Sequence, residues 1–161
     1  GGLGRLTRLA GFGAALDGYR APADPDQALG ELVAAAARVL WTHPDRPIGF
    51  CHAVTCPAAL RLVLPHLPAP LHRPTVAAAW QIIGGIVAAL SPDPTTDGLD
   101  RPVPDPALTP SPEMLLGRAL EHGDEHLVKL TEAALREHAR TGDPILLHAA
   151  HAFRDRVGPL A

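Results

Sequence analysis

EHGDEHLVKLTEAALREHAR, residues 121–140, sets Leu127, Leu130 and Ala134 three and four residues apart, with Leu120 seven residues before Leu127. That is the periodicity of a helix with one apolar face. At about 100° per residue, His122, His126 and Lys129 then fall within about 60° of one another, beside the leucine stripe. Imidazoles one turn apart on a helix match the bite of one cation. The lysine is the unusual neighbour, since it is the only one in the chain, against thirteen arginines. An ammonium has no lone pair and repels a cation, so a lysine among metal ligands has to be neutral or chemically altered. Burial lowers an amine's pKa, and a neutral amine can add carbon dioxide to form a carbamate, an anionic oxygen donor that a hard metal accepts. The same spacing also describes a solvated helix face, with Glu125 and Glu132 as ion-pair partners.

Outward from that stretch, periodic apolar segments alternate with proline- and glycine-rich breaks. Residues 3–19 carry Leu3, Leu6, Leu9, Phe12 and Leu16 at helical spacing, weakened by internal glycines. Asp24 or Asp26 can cap a second helix over 26–42. Pro44 and Pro47 stop it, and residues 43–56, HPDRPIGFCHAVTC, lead into a helix whose first turn holds Pro57 and which ends at Pro65. Residues 75–90, TVAAAWQIIGGIVAAL, read as a central buried helix, shorter than a membrane span. Its Gly84 and Gly85 leave room for a close helix or a ligand, and Trp80 and Ile83 could wall a flat aromatic pocket. Residues 91–112 are too proline-rich for helix or central strand and form an irregular connector. A helix over 113–121 leads into the opening stretch, with Gly123 a place to kink or break. Thr141–Pro144 makes a turn, and a last helix runs to about Val157. With no strand pattern and no repeat, the expectation is an all-α bundle of six to seven helices, one domain over 1–161.

Composition bounds the function. A chain of 161 residues fits one domain and can bury about 70% of its unfolded surface. A net charge of −3 and the lack of any Lys/Arg block argue against nucleic acid or an anionic membrane as partner. Cys51 and Cys56 lie too close together to staple a fold, which suggests a reducing compartment; with no signal peptide or membrane-spanning run, the expected location is the cytoplasm. Their C-H-x3-C arrangement lacks the second ligand pair of a zinc finger. His148 and His151 lie one turn apart but read as core or surface, and His43, His66, His72 and His138 as surface. His122-Gly123-Asp124 lacks the adjacent His-Asp pair of helical phosphohydrolases. No phosphate loop, nucleophile elbow or dinucleotide fingerprint is present.

Two separated segments together resemble the questin oxidase-like proteins. The first is IGFCHAVTCPAALRLVLPHLP, residues 48–68, followed by AAAWQIIGGIVAAL, residues 77–90; the second is GDEHLVKLTEAALREHARTGDPILLHAA, residues 123–150. The resemblance implies an all-helical oxygenase that opens rings of anthraquinone-type aromatic polyketides, formally of Baeyer–Villiger type. Some relatives resemble non-haem iron dioxygenases with iron held by histidines and a carboxylated lysine. Carried over, His52 matches the histidine of the HAVT segment, and His126 and Lys129 match those of DEHxxK. His52, His126 and Lys129 become the expected ligands, Fe(II) the expected metal with other divalent ions as substitutes, and NADPH a candidate cosubstrate; His122 is held in reserve. Family members are longer, and their amino-terminal halves supply further histidines without counterpart here. Residues 1–161 would then be the carboxy-terminal half of a longer protein, or one subunit of a split enzyme completed by a second chain. The alternative is a non-catalytic helical binding or partner subunit that keeps the fold.

Overall fold

The architecture follows from where each apolar stripe can be buried. The structure, a computed structural model, describes residues 6, 10–43, 45–91, 102 and 104–158. Seven α-helices occur among them: α1 (Phe12–Asp17), α2 (Pro25–Thr42), α3 (Pro47–Val63), α4 (His72–Leu90), α5 (Pro112–His122), α6 (Glu125–Thr141) and α7 (Ile145–Arg154). Short 3₁₀ turns lie at Leu64–His66, Ala69–Leu71 and Pro106–Leu108. No strand is present among the described residues, so the fold is all-α, as expected. The expectations for residues 1–5, 7–9, 92–101 and 103, which include most of the connector, lie outside the described residues.

Helices α2 and α3 form the spine. Helix α2 packs on α3, α7 and α4, while α3 also packs on α4 and α6. Leu29, Val33, Phe50, Val54, Leu127, Leu130, Ile145, Leu146 and Phe153 are all fully buried in one continuous core. Each such side chain contributes about 1.5–3 kcal/mol relative to exposure. Asp24 caps α2 by accepting from the Asp26 N–H at 2.9 Å.

One polar cluster crosses this core. Arg61 on α3 is 7% exposed and pairs with both Asp26 of α2 and Glu137 of α6, the latter 1% exposed. Arg136 reaches the other Glu137 oxygen at 2.8 Å and the Ala58 carbonyl at 3.1 Å. Each buried charge therefore meets an opposite one, which offsets its desolvation. Arg61 holds the Asp26 carboxyl below its ordinary pKa, chiefly through the hydrogen bond between them.

Three expectations change. Pro57 lies in the middle of α3, ten residues past its start, and not in a first turn. Proline there removes one helix hydrogen bond, but Phe50, Cys51, Ala53 and Val54 before it and Ala58 after it are buried on the same neighbours, and that burial outweighs the loss. The stretch 121–140 is two helices: Gly123, at φ 76°, ends α5 in the left-handed conformation that glycine tolerates, and Asp124 caps α6. Finally, α4 is longer than expected and less buried. By length and composition alone, Pro47–His66 and Ala69–Leu90 could each cross a membrane; their most apolar windows are 44% and 33% buried in the bundle.

Candidate functional site

The break at Gly123 decides which residues can share a site. His122 ends α5 and points away, with its Nε2 3.1 Å from the Val157 carbonyl, so it does not share a face with His126 and Lys129. The next helix starts afresh. Asp124 accepts from the backbone N–H groups of His126 at 3.0 Å and Leu127 at 2.9 Å, which fixes the first turn of α6. His126 and Lys129 follow on that turn and the next.

The partner comes from α3. His52 is exposed, one residue after buried Cys51, whose Sγ lies 3.7 Å from the His126 carbonyl and ties the two helices together. The His52 and His126 rings meet edge to face, with centroids 5.4 Å apart and planes at 77°. A single ion held at about 2.1 Å by one nitrogen of each ring places two centroids roughly 4.6–5.3 Å apart. The imidazole pair stands just outside that separation, so a shared ion requires its rings to turn. Burial, then His126 and Lys129, push the His52 pKa below its ordinary value, with Glu125 opposing. That direction favours the neutral imidazole, the form with a lone pair to offer a cation.

Lys129 sits on the same rim. Its side chain is 48% exposed and its Nζ lies 3.9 Å from Glu125 Oε2. Glu125 also comes within 3.6 Å of His126 Nε2, and Asp124 within 3.8 Å of His126 Nδ1. Glu125 is the ion-pair partner expected on a solvated helix face, whereas Asp124, two residues before the histidine, was not singled out as a site neighbour in the sequence. Among the described residues no group of three or more His, Cys, Asp and Glu side chains is placed to hold one ion. A third donor besides the imidazoles would have to come from Lys129 in altered form, or from outside these residues.

Below the rim runs a groove of about 570 Å³ between α3, α4 and α6, lined by His52, Cys56, Leu62, Ile82, Ile86 and Lys129 among others. Its volume lies in the range of small-molecule sites, and its walls are largely hydrocarbon. Glu132 and Arg136 close one end and bond to each other at 2.8 Å. Trp80 and Ile83 do not contribute, because they face the other side of α4. The cysteines offer no nucleophile: burial pushes the Cys51 thiol up to about 12 and the Cys56 thiol upward as well.

Several of the remaining histidines have structural partners, whereas His66 is exposed and His151 Nδ1 is buried without a hydrogen-bond partner. His148 is 5% exposed, with its Nε2 3.3 Å from the Thr109 hydroxyl and its ring tilted against Trp41. His43 and His138, expected at the surface, are half-buried and lie 3.2 Å and 3.0 Å from backbone carbonyls.

No family model, no curated protein and no solved structure matches the chain.

Proposed function

We propose that the chain is an oxygenase, or a component of one, that cleaves a ring of polycyclic aromatic polyketides of the anthraquinone type. One observation supports this reading above the others: two imidazoles from separate helices, His52 and His126, meet at the mouth of an apolar groove beside the only lysine in the chain. The resemblance of residues 48–68, 77–90 and 123–150 to the questin oxidase-like proteins points the same way.

In this reading His52 and His126 hold a non-haem metal, Fe(II) first and another divalent ion in its place. Lys129, as a carbamate, adds an anionic oxygen. A bound metal supplies the redox chemistry that lets dioxygen react. Leu62, Ile82 and Ile86 receive the flat hydrocarbon face of the substrate and exclude water. Further ligands come from a second chain or from upstream sequence. If the ring opening is a Baeyer–Villiger insertion, one oxygen atom enters the product and the other leaves as water, with NADPH giving the two electrons.

The test is anaerobic loading with Fe(II) and bicarbonate, followed by metal analysis and oxygen uptake with an anthraquinone and NADPH. One ion per chain, lost in His52→Ala and in Lys129→Ala, is the expected result. Activity and metal content unchanged in both variants would overturn the assignment.

The exposure of Lys129, and the Glu125 carboxylate as its neighbour, favour a second reading: a non-catalytic helical subunit that binds a ligand or partner through the same groove. Full activity of an assembled complex containing Lys129→Ala would select it.

A further inference from the structure

We propose that the chain carries a second ligand site, a cavity between α1, α2 and α4 that takes an uncharged, hydrocarbon-rich small molecule. This goes beyond the reading of the groove and does not depend on it. The cavity, partly open to solvent, offers about 550 Å³ and is walled by Phe12, Leu16, Leu32, Val39, Trp80 and Val87, with alanines and glycines between them. Among the described residues no charged side chain lines it. The one polar side-chain atom among the described lining residues, Trp80 Nε1, already donates to the Leu16 carbonyl at 2.9 Å. Water finds few partners along these walls, and apolar surface left against water costs free energy in proportion to its area. A hydrocarbon occupant covers that surface, whereas a charged one would be desolvated without compensation.

The roof is built to close over such an occupant. Helix α1 has six residues and none is buried, yet Phe12 and Leu16 reach inward. It crosses α4 at Gly84, where a Cβ would stand 2.8 Å from Leu16 Cδ2. Trp80 holds the roof from below, through its bond to Leu16 and by stacking on Tyr19 at 4.5 Å. The mouth opens past Ala15 and Ala35, both exposed.

The cavity is separate from the groove. On α4 the groove takes Ile82 and Ile86, while the cavity takes Trp80, Ile83, Gly84 and Val87. At about 100° per residue these sets lie roughly 130° apart around the helix. Helix α4 is a partition with an apolar site on each side.

Titration of the 161-residue chain with the neutral dye N-phenyl-1-naphthylamine tests the proposal. Saturable single-site binding is expected, weakened at least about tenfold by Ala35→Trp, which plugs the mouth from an exposed position. Binding should be unchanged in His52→Ala and Ile82→Lys. In a Trp41→Phe background, 1-bromooctane, which quenches only on contact, should remove most Trp80 emission. If Ala35→Trp does not fold by circular dichroism, the quenching decides alone. No saturable binding, binding that survives a folded Ala35→Trp, loss in Ile82→Lys, or an unquenched Trp80 would each overturn the proposal.

Discussion

Arg61 shows how far one side chain constrains its neighbours. Gly30 faces it across the α2–α3 contact, and a Cβ there would stand 2.9 Å from Arg61 Nη1. In a free helix, alanine for glycine gains about 1 kcal/mol. Here the guanidinium is held by Asp26 and Glu137, and breaking a buried pair costs about 3–5 kcal/mol, so even partial displacement wins. Gly30→Ala should lower stability by about 1 kcal/mol, and the same change in an Arg61→Met background should raise it. Urea unfolding of the four proteins gives the sign. His148 sets a second expectation. Burial, then His151, lowers its pKa, so the folded chain binds its proton less readily than the unfolded chain does. Below the unfolded value of about 6.5 the unfolded state gains protons first, and stability falls as pH drops. His52 shifts in the same direction and adds to the slope. His148→Gln should flatten the decline between about pH 7 and 5 without abolishing it. An unchanged slope would remove burial of that imidazole as its source.

At the scale of elements, the caps position the site. Asp124 accepts two N–H groups at the start of α6, and the same turn presents His126 against His52. Asp124→Ala should cost about 1 kcal/mol and Asp124→Ser much less, as read by thermal melts. The alanine variant should also weaken any metal binding at the imidazole pair, because a frayed first turn no longer fixes His126. Gly123 marked a place where the helix could break, but the Asp124 cap beyond it was not read from the sequence. Reading 121–140 as one continuous face nevertheless admitted His122, because helical periodicity continues through a break that only a backbone angle reveals. Pro57 misled in the opposite sense. Its local cost to a helix is plain in the sequence, whereas the burial on three other helices that offsets it is not. The His52–His126 meeting was likewise not derivable from periodicity, since the two lie on different helices and come together only by packing.

For the whole molecule, α4 separates what holds the fold from what stays open. Its run of apolar residues suggested a helix buried all round, yet Ile82 is 50% exposed, as are Leu62 at 47% and Val128 at 37% on the facing helices. Apolar content says how much surface could be buried, not which partner covers it. The core proper lies deeper, where Phe50 of α3 and Phe153 of α7, two helices that both pack on α2, are buried. These two kinds of apolar residue should respond oppositely to substitution. Phe50→Ala should cost about 3–5 kcal/mol, since the side chain is fully enclosed and the cavity it leaves cannot collapse across three helices. Ile82→Lys should leave stability within about 0.5 kcal/mol, because lysine can lay its stem along the groove wall and keep its ammonium in water. The same lysine places a charge where a flat hydrocarbon would lie, so binding of an anthraquinone in the groove should fall by at least about tenfold. Urea unfolding combined with ligand titration separates the two effects. A loss of stability in Ile82→Lys as large as in Phe50→Ala would make the groove part of the interior and remove it as a binding face.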